Sequence, residues 1–371
     1  MKILVVDTYY PNFLRDFYSK NKKFKNYNDN LNALLSECFG TSDYYSYNLK
    51  KLGHEAQDLI VNDEKLQRLW AKENNFHLQN SKLLSKIQAL PYVGKYFGGL
   101  TWIQEIAIAQ IKTHKPDIVY LQDLSILLPD TLKLAKKYCK LLVGQIACPL
   151  PPKENLLQFD LILTSFPHFV KKFREMGIKS EYFKIGFETR LLKTIKKQKR
   201  IYPCVFIGSF SPHHIKGTRL LEKLYRHVPL HVWGQGMEYL PLNSPLRKNY
   251  HSKAWGKDMY KILAKSKIVI NRHISVAGNN ANNMRLYEST GMGAMLITDK
   301  KKNLKDLFVP NKEVVEYVSD EDLVKKVKYY TSHDKERQKI ALSGQKRTIR
   351  VHSYQKRMQE LITILNHHLA K

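Results

Sequence analysis

The sequence is short of acid, short of cysteine and without any long apolar run. Against 62 lysines and arginines it sets only 33 aspartates and glutamates, a formal net charge of +29. Such a field favours polyanions: nucleotide diphosphates, nucleic acid or an anionic bilayer surface. The excess is spread along the chain and not confined to one tail, so composition alone names no partner. No stretch approaches the roughly eighteen consecutive apolar residues of a membrane-spanning helix. The four cysteines, Cys38, Cys139, Cys148 and Cys204, form no CxxC pair and have no histidine at ligand spacing. They read as reduced thiols. The opening MKILVVDTYY has a strand's length before it turns polar at Asp7, which argues against a signal peptide. A cytoplasmic protein is expected, with peripheral attachment at the inner membrane face as an extension of its charge. Internal repeats and low-complexity segments are also missing.

What is present is an alternation of strand and helix patterns over 371 residues, 43% of them hydrophobic. Strands are expected at 2–7, 55–61, 117–122, 140–146, 159–165 and 181–186, with helices at 28–39, 102–114 and 167–177. A second series follows: strands at 203–208, 229–234, 267–271, 294–299 and 313–318, with helices near 217–226, 257–266, 282–290 and 320–332. The strands are continuous apolar runs, as parallel sheets covered on both faces require. The pattern predicts an α/β protein of two Rossmann-like βαβ domains facing each other across a cleft. The domains are expected at 1–190 and 202–348, joined by the basic, glycine-free linker 191–201, with a terminal helical segment, 349–371, packing back on the first domain. Residues 63–101 resist the pattern and read as an irregular insertion, or alternatively a lid or surface-docking element.

The most informative stretch is Asn271–Asp299, NRHISVAGNNANNMRLYESTGMGAMLITD. A buried strand ends in a polar loop, a helix opens on asparagines, and another strand closes the unit. Ligands of open α/β sheets bind at such strand ends. Amides of Asn280, Asn282, Asn283 and Met284 at the helix start, with guanidiniums at Arg272 and Arg285, suit a diphosphate. Glu288, one turn further in, suits vicinal hydroxyls of a sugar. A second strand end, FIGSFSPHHIKG, offers Gly208 and Ser209 as a small-residue turn and Lys216 for phosphate oxygens. His213 there is a further contact for the diphosphate or sugar; adjacent histidines seldom converge on one ion, so no metal is expected. WGQGMEY lacks the third glycine of a dinucleotide fingerprint; Gly234 would serve the strand-end turn and flank the base. The run Asp320–Asp322 reads as helix capping and not as a metal-binding D-x-D. In the first half, Asp43, Asp123 and His168 sit in polar strand-end clusters and are the candidate proton-handling groups.

With these residues laid out, the chain resembles the CgeB-like, spore-maturation type branch of the GT-B glycosyltransferases. The resemblance is carried by FGTSDYYSYNLKKLGHEAQD, GQIACPLPP, DLILTSFPHF, SEYFKIGFE, FIGSFSPHHIKGT and, most specifically, the Asn271–Asp299 stretch. It implies a nucleotide-sugar donor held by the second domain and an acceptor held by the first, with the sugar passing to a saccharide, lipid-linked glycan or other cell-surface acceptor. It maps phosphate contacts onto Lys216 and Arg272 and a ribose contact onto Glu288. Many retaining members place two glutamates eight positions apart; here the second position is Glu288 and the first holds Asn280. No cofactor beyond the donor substrate is expected, and no specific nucleic acid. The competing readings are a nucleotide-sugar epimerase or hydrolase of the same architecture, a catalytically silent scaffold, and a non-catalytic binder of anionic polymers.

Overall fold

The computed structural model describes residues 1–21, 23–78, 101–211 and 215–370. It divides into two compact units, Met1–Phe183 with Met358–Lys371, and Lys184–Arg357. Each is built on one parallel sheet with helices between its strands.

The first unit holds β1 (Lys2–Asp7), β2 (Glu55–Ile60), β3 (Ile118–Leu121), β4 (Leu141–Gln145), β5 (Leu161–Thr164) and β6 (Ser180–Tyr182), in the order β2-β1-β3-β4-β5-β6. The second holds β7 (Tyr202–Ile207), β8 (Leu230–Trp233), β9 (Ser266–Asn271), β10 (Met295–Asp299) and β11 (Val315–Tyr317), in the order β11-β10-β9-β7-β8. All pairings are parallel. The runs ILVV, IVYL and LILT are buried along their length because helices cover both sheet faces. In each unit the direction of winding reverses once, between β1 and β3 and between β7 and β9. Those reversal points are where an open α/β sheet leaves a crevice at its carboxyl edge.

Local signals set the helix starts. Asn26 accepts from the Asp29 amide (2.7 Å), Asp63 from Leu66 (3.2 Å), Asn283 from Leu286 (3.2 Å) and Ser319 from Asp322 (3.2 Å). Proline opens the helices Pro11–Lys20, Pro129–Ala135 and Pro167–Glu175. The acidic triplet heads the helix Asp320–Ser332, where the Asp322 carboxylate accepts from Val318 (3.0 Å) and pairs with Lys326 (2.8 Å).

Several elements depart from the sequence expectation. The helix predicted at 28–39 is Tyr27–Ser36, and a separate helix, Tyr44–Lys51, occupies part of the stretch read as a polar strand-end cluster. Strand β6 stops at Tyr182 instead of reaching Gly186; the Ile185 carbonyl accepts from Arg357 (3.1 Å) and takes no ladder bond. The terminal helical segment expected at 349–371 meets two helices, the end of Asp334–Val351 and the whole of Tyr354–Leu369. At the break between them Phe187 exchanges backbone bonds with His352 and Tyr354 (2.8 and 3.0 Å), and the buried His352 ring lies between Arg357 and the Leu307 carbonyl. Residues 63–78 begin with a helix, Glu64–Glu73; the LPYVGKYFGGL segment lies outside the described residues.

Candidate functional site

Cations gather at the carboxyl edge of the second sheet, beside the β7/β9 reversal. A cavity of about 630 Å³ opens there, lined by Ser209, Lys216, Arg272, His273, Asp299 and Lys301 among others. Its floor is the apolar end of the strands, Phe206 and Ile270, and one wall is the first turn of the helix Ile215–Tyr225. A Cβ on Gly217 would lie at ordinary contact distance, 3.8 Å, from Cδ of Arg272, so the arginine stem runs beside the helix start. Amides of a helix start and two cations on one cavity form an anion-binding arrangement. A second cavity, about 780 Å³, shares Leu220, Arg272, Asp299 and Lys301 with the first and adds Lys300, Lys302 and Lys305.

The loops beside this cavity are fixed by backbone contact. Gly208 donates to the Trp233 carbonyl (3.0 Å), and Gly234 donates to Ser252 (3.0 Å). Gly234 has φ +148, and a Cβ on it would stand 1.6 Å from the Gly208 carbonyl oxygen. Only glycine allows that approach. Gly234 itself does not line the cavity.

Within the cavity wall His273 and Asp299 form a pair. Nδ1 of His273 donates to Oδ1 of Asp299 (2.7 Å), and the His273 backbone amide donates to the same oxygen (3.0 Å). Lys301 lies 3.3 Å from Oδ2 and also donates to the Gly278 carbonyl (2.8 Å). Burial alone would raise the Asp299 pKa. The His273 bond and the Lys301 ammonium more than offset it, holding the carboxyl below its ordinary value. Sequence reasoning passed over His273 and Lys301 and took Asp299 only as a strand end. The signal was the adjacency of β9 and β10, which sets Asn271 opposite Thr298 and so brings the next residues together.

The asparagine-opened loop is tied to this edge from behind. Asn283 donates to Asn271 (2.8 Å), which donates to Thr298 (2.9 Å), and Asn303 bonds both the amide and carbonyl of Ala281. Asn282 is buried and accepts from Tyr287 (3.2 Å); the Asn280 amide donates to Ala277 (3.0 Å). Met284 begins the helix Met284–Gly291. Along that helix Arg285 and Glu288 form an ion pair (2.8 Å), 17% and 7% exposed, and Tyr260 donates to Glu288 (3.3 Å). Thus Ser209, Lys216 and Arg272 come together on one cavity, whereas Arg285 and Glu288 are engaged with each other and line neither cavity. His213 lies outside the described residues.

In the first unit the carboxyl edge is acidic. Thr8 donates to Asp123 (2.9 Å), whose other oxygen accepts from Ser125 (2.6 Å). The Thr41 hydroxyl is 3.3 Å from Asp7 and 2.6 Å from Gln122. Burial is the main reason that the Asp7 pKa is raised to about 6 and that of Asp58 to about 7. Asp43 precedes the helix Tyr44–Lys51 and adds to the repulsion on Asp58. His168 is exposed at the end of β5, its ring against Phe166 and Phe169 (centroids 5.3 and 4.8 Å). Two strand spacings, about 10 Å, separate β3 from β5, which sets His168 apart from Asp123, while Asp43 stands near Tyr9 and Asp58.

Residues 216–363 match the family model described as Glycosyl transferase-like. No curated protein sequence matches the chain. Among solved structures it is similar to a sucrose-phosphate synthase from Thermosynechococcus elongatus (TM-score 0.61, 8% identity, 100% of both chains). It is also similar to Anabaena HepE in complex with UDP-glucose (TM-score 0.60, 12% identity, 99% of both chains). A glycosyltransferase from Rickettsia africae gives TM-score 0.57 at 15% identity over 99% of both chains. The chain therefore has the GT-B fold, and its second unit carries a glycosyl transferase-like region beginning at Lys216.

Proposed function

We propose that this chain is a glycosyltransferase that takes a sugar from a nucleoside-diphosphate donor held by the second unit and passes it to a hydroxyl of a glycan or lipid-linked acceptor. The observation that carries the reading is the joint lining of one cavity by Lys216, Arg272 and the start of the Ile215 helix, at the reversal point of the second sheet. Anabaena HepE, solved with UDP-glucose, lends support through its shared fold.

In the reaction the bond from the sugar's anomeric carbon to the β-phosphate oxygen breaks, and the acceptor oxygen bonds to that carbon. Charge grows on the departing diphosphate. Arg272, Lys216 and helix-start amides would stabilise it, taking the part a metal ion plays elsewhere, so transfer is proposed to survive chelation. Retention of anomeric configuration belongs to the same reading, as do a CgeB-like affiliation and a cytoplasmic site of action. Acceptor deprotonation would fall to the first unit, where Asp43 and Asp123 are the candidates. The +29 charge supports peripheral attachment to an anionic bilayer.

The test is incubation of the full chain with labelled UDP- and GDP-sugars, with and without saccharide acceptors and EDTA. Acceptor-dependent transfer is expected. An epimerised donor, or free sugar with no acceptor product, would replace the reading with one of its rivals.

A further inference from the structure

His273 presents a problem that its own neighbours do not solve. Its Nδ1 is committed to Asp299 (2.7 Å), and because a carboxylate only accepts, the proton sits on Nδ1. With the ring neutral, as the proposal below takes it, Nε2 is then an acceptor. That atom is buried, on a residue 6% exposed, and has no hydrogen-bond partner among the described residues. Buried polar atoms are almost always bonded, so this orphan is an unmet hydrogen-bonding position on a residue of the cavity wall. His273 lines the same cavity as Arg272 and Lys216.

We propose that the Asp299–His273 pair is a hydroxyl-recognising element of this site, with Nε2 taking a hydrogen bond from a sugar hydroxyl of the bound nucleotide sugar. The inference rests on the donor reading above and adds a residue and a chemistry to it. Phosphate oxygens are acceptors and have nothing to offer a bare Nε2; they belong with the cations of the same cavity. Hydroxyls flank a diphosphate on both sides, on the ribose and on the transferred sugar, and each is a donor. Asp299 fixes the ring's orientation, and Lys301, 3.3 Å from its far oxygen, holds the carboxylate in place.

The experiment is calorimetric titration of the full chain with UDP, UDP-glucose, GDP and GDP-mannose, in the wild type, H273N and H273Q. An asparagine amide can stand where Nδ1 stood and keep the Asp299 bond; a glutamine amide reaches the Nε2 position and offers an acceptor oxygen there. H273N is expected to melt close to the wild type without ligand and to lose affinity for the sugar nucleotide about tenfold. H273Q recovers most of that loss. A loss for UDP-glucose but not UDP assigns the hydroxyl to the transferred sugar; equal losses for both assign it to the ribose. Unchanged binding by H273N overturns the inference and leaves the donor reading standing. Failure of every probe to bind the wild type overturns both. A readout that needs no stable variant is the ¹⁵N-histidine spectrum of the wild type: the Nε2 resonance of His273 shifts on adding the bound nucleotide sugar, and a stationary resonance sinks the proposal.

Discussion

The carboxyl edges of the two sheets share a topology and have opposite chemistry. In the first unit the strand ends are wired by side chains: Thr8 to Asp123, Thr41 beside Asp7 and Gln122, Tyr45 and Tyr120 both to Gln145. In the second, the contact of Gly208 with Gly234 joins the side-chain tie of Asn283, Asn271 and Thr298, and the cavity is lined by Arg272, Lys216 and Lys301 beside the His273–Asp299 pair. Parallel strands end in the same geometry whatever their sequence, so the fold supplies a crevice and not a ligand. What differs is the charge at the crevice: Arg272 and Lys216 line the second, whereas the first edge is a hydrogen-bonded acidic network.

The largest effect expected is from breaking the backbone contact of the second edge. Gly234→Ala puts a methyl on the Gly208 carbonyl at a φ that L residues rarely adopt. A cost above about 4 kcal/mol follows, seen as insoluble protein or a collapsed melting transition. A G234A chain that melts like the wild type would show that the loops need not meet. Next comes Arg272, one of the two cations that both cavities share. Arg272→Ala is expected to lower sugar transfer about 10²–10³-fold with an unchanged melting curve. The same variant with near-normal turnover would remove the chemical half of the comparison.

Part of this contrast was legible in the sequence and part was not. The alternation of apolar runs and amphipathic segments announced the two parallel sheets, because strands covered on both faces have no polar side to hide. Lys216 and Arg272 were legible because each lies at an element boundary, Lys216 in the first turn of its helix and Arg272 just past β9. The Arg285–Glu288 pair was visible in principle, three residues apart on one helix, yet each was read as facing a ligand. His273 with Asp299 was not legible, since their meeting depends on β9 lying beside β10 in a particular register. The same holds for Asp7 and Asp58, which the pairing of β1 with β2 sets two residues apart in register, close enough for Asp7 to add to the repulsion on Asp58.

The ion pair gives the third prediction. Glu288→Ala leaves the Arg285 guanidinium, 17% exposed, without its carboxylate. Removing one partner of a buried pair destabilises by about 3 kcal/mol, read as a lowered urea midpoint. Replacing both residues by leucine should recover most of it. If E288A keeps its stability and loses only transfer, Glu288 belongs to the ligand and the basic edge is larger than the two cavities show.

The smallest effect separates the two edges by the sign of their response to pH. Asp58, fully enclosed and raised from 3.8 to about 7 chiefly by burial, holds its proton more tightly in the folded chain than in the unfolded one. Its contribution is complete below about pH 4 and lost as the pH climbs to about 7, and Asp7, raised to about 6, acts in the same direction. Asp299 is the reverse: its folded pKa is lowered, so its contribution is present above the ordinary carboxylate pKa and disappears on acidification. Asp58→Asn keeps an acceptor for Ser46 and removes the titration. The variant should gain on the wild type between about pH 4 and pH 7, by at most about 1.4 kcal/mol for each step of one in pH, when urea unfolding is measured across that range. A gap between the two that stays constant with pH would mean the acidic edge is as well solvated as the basic one. Burial would then not be what distinguishes them.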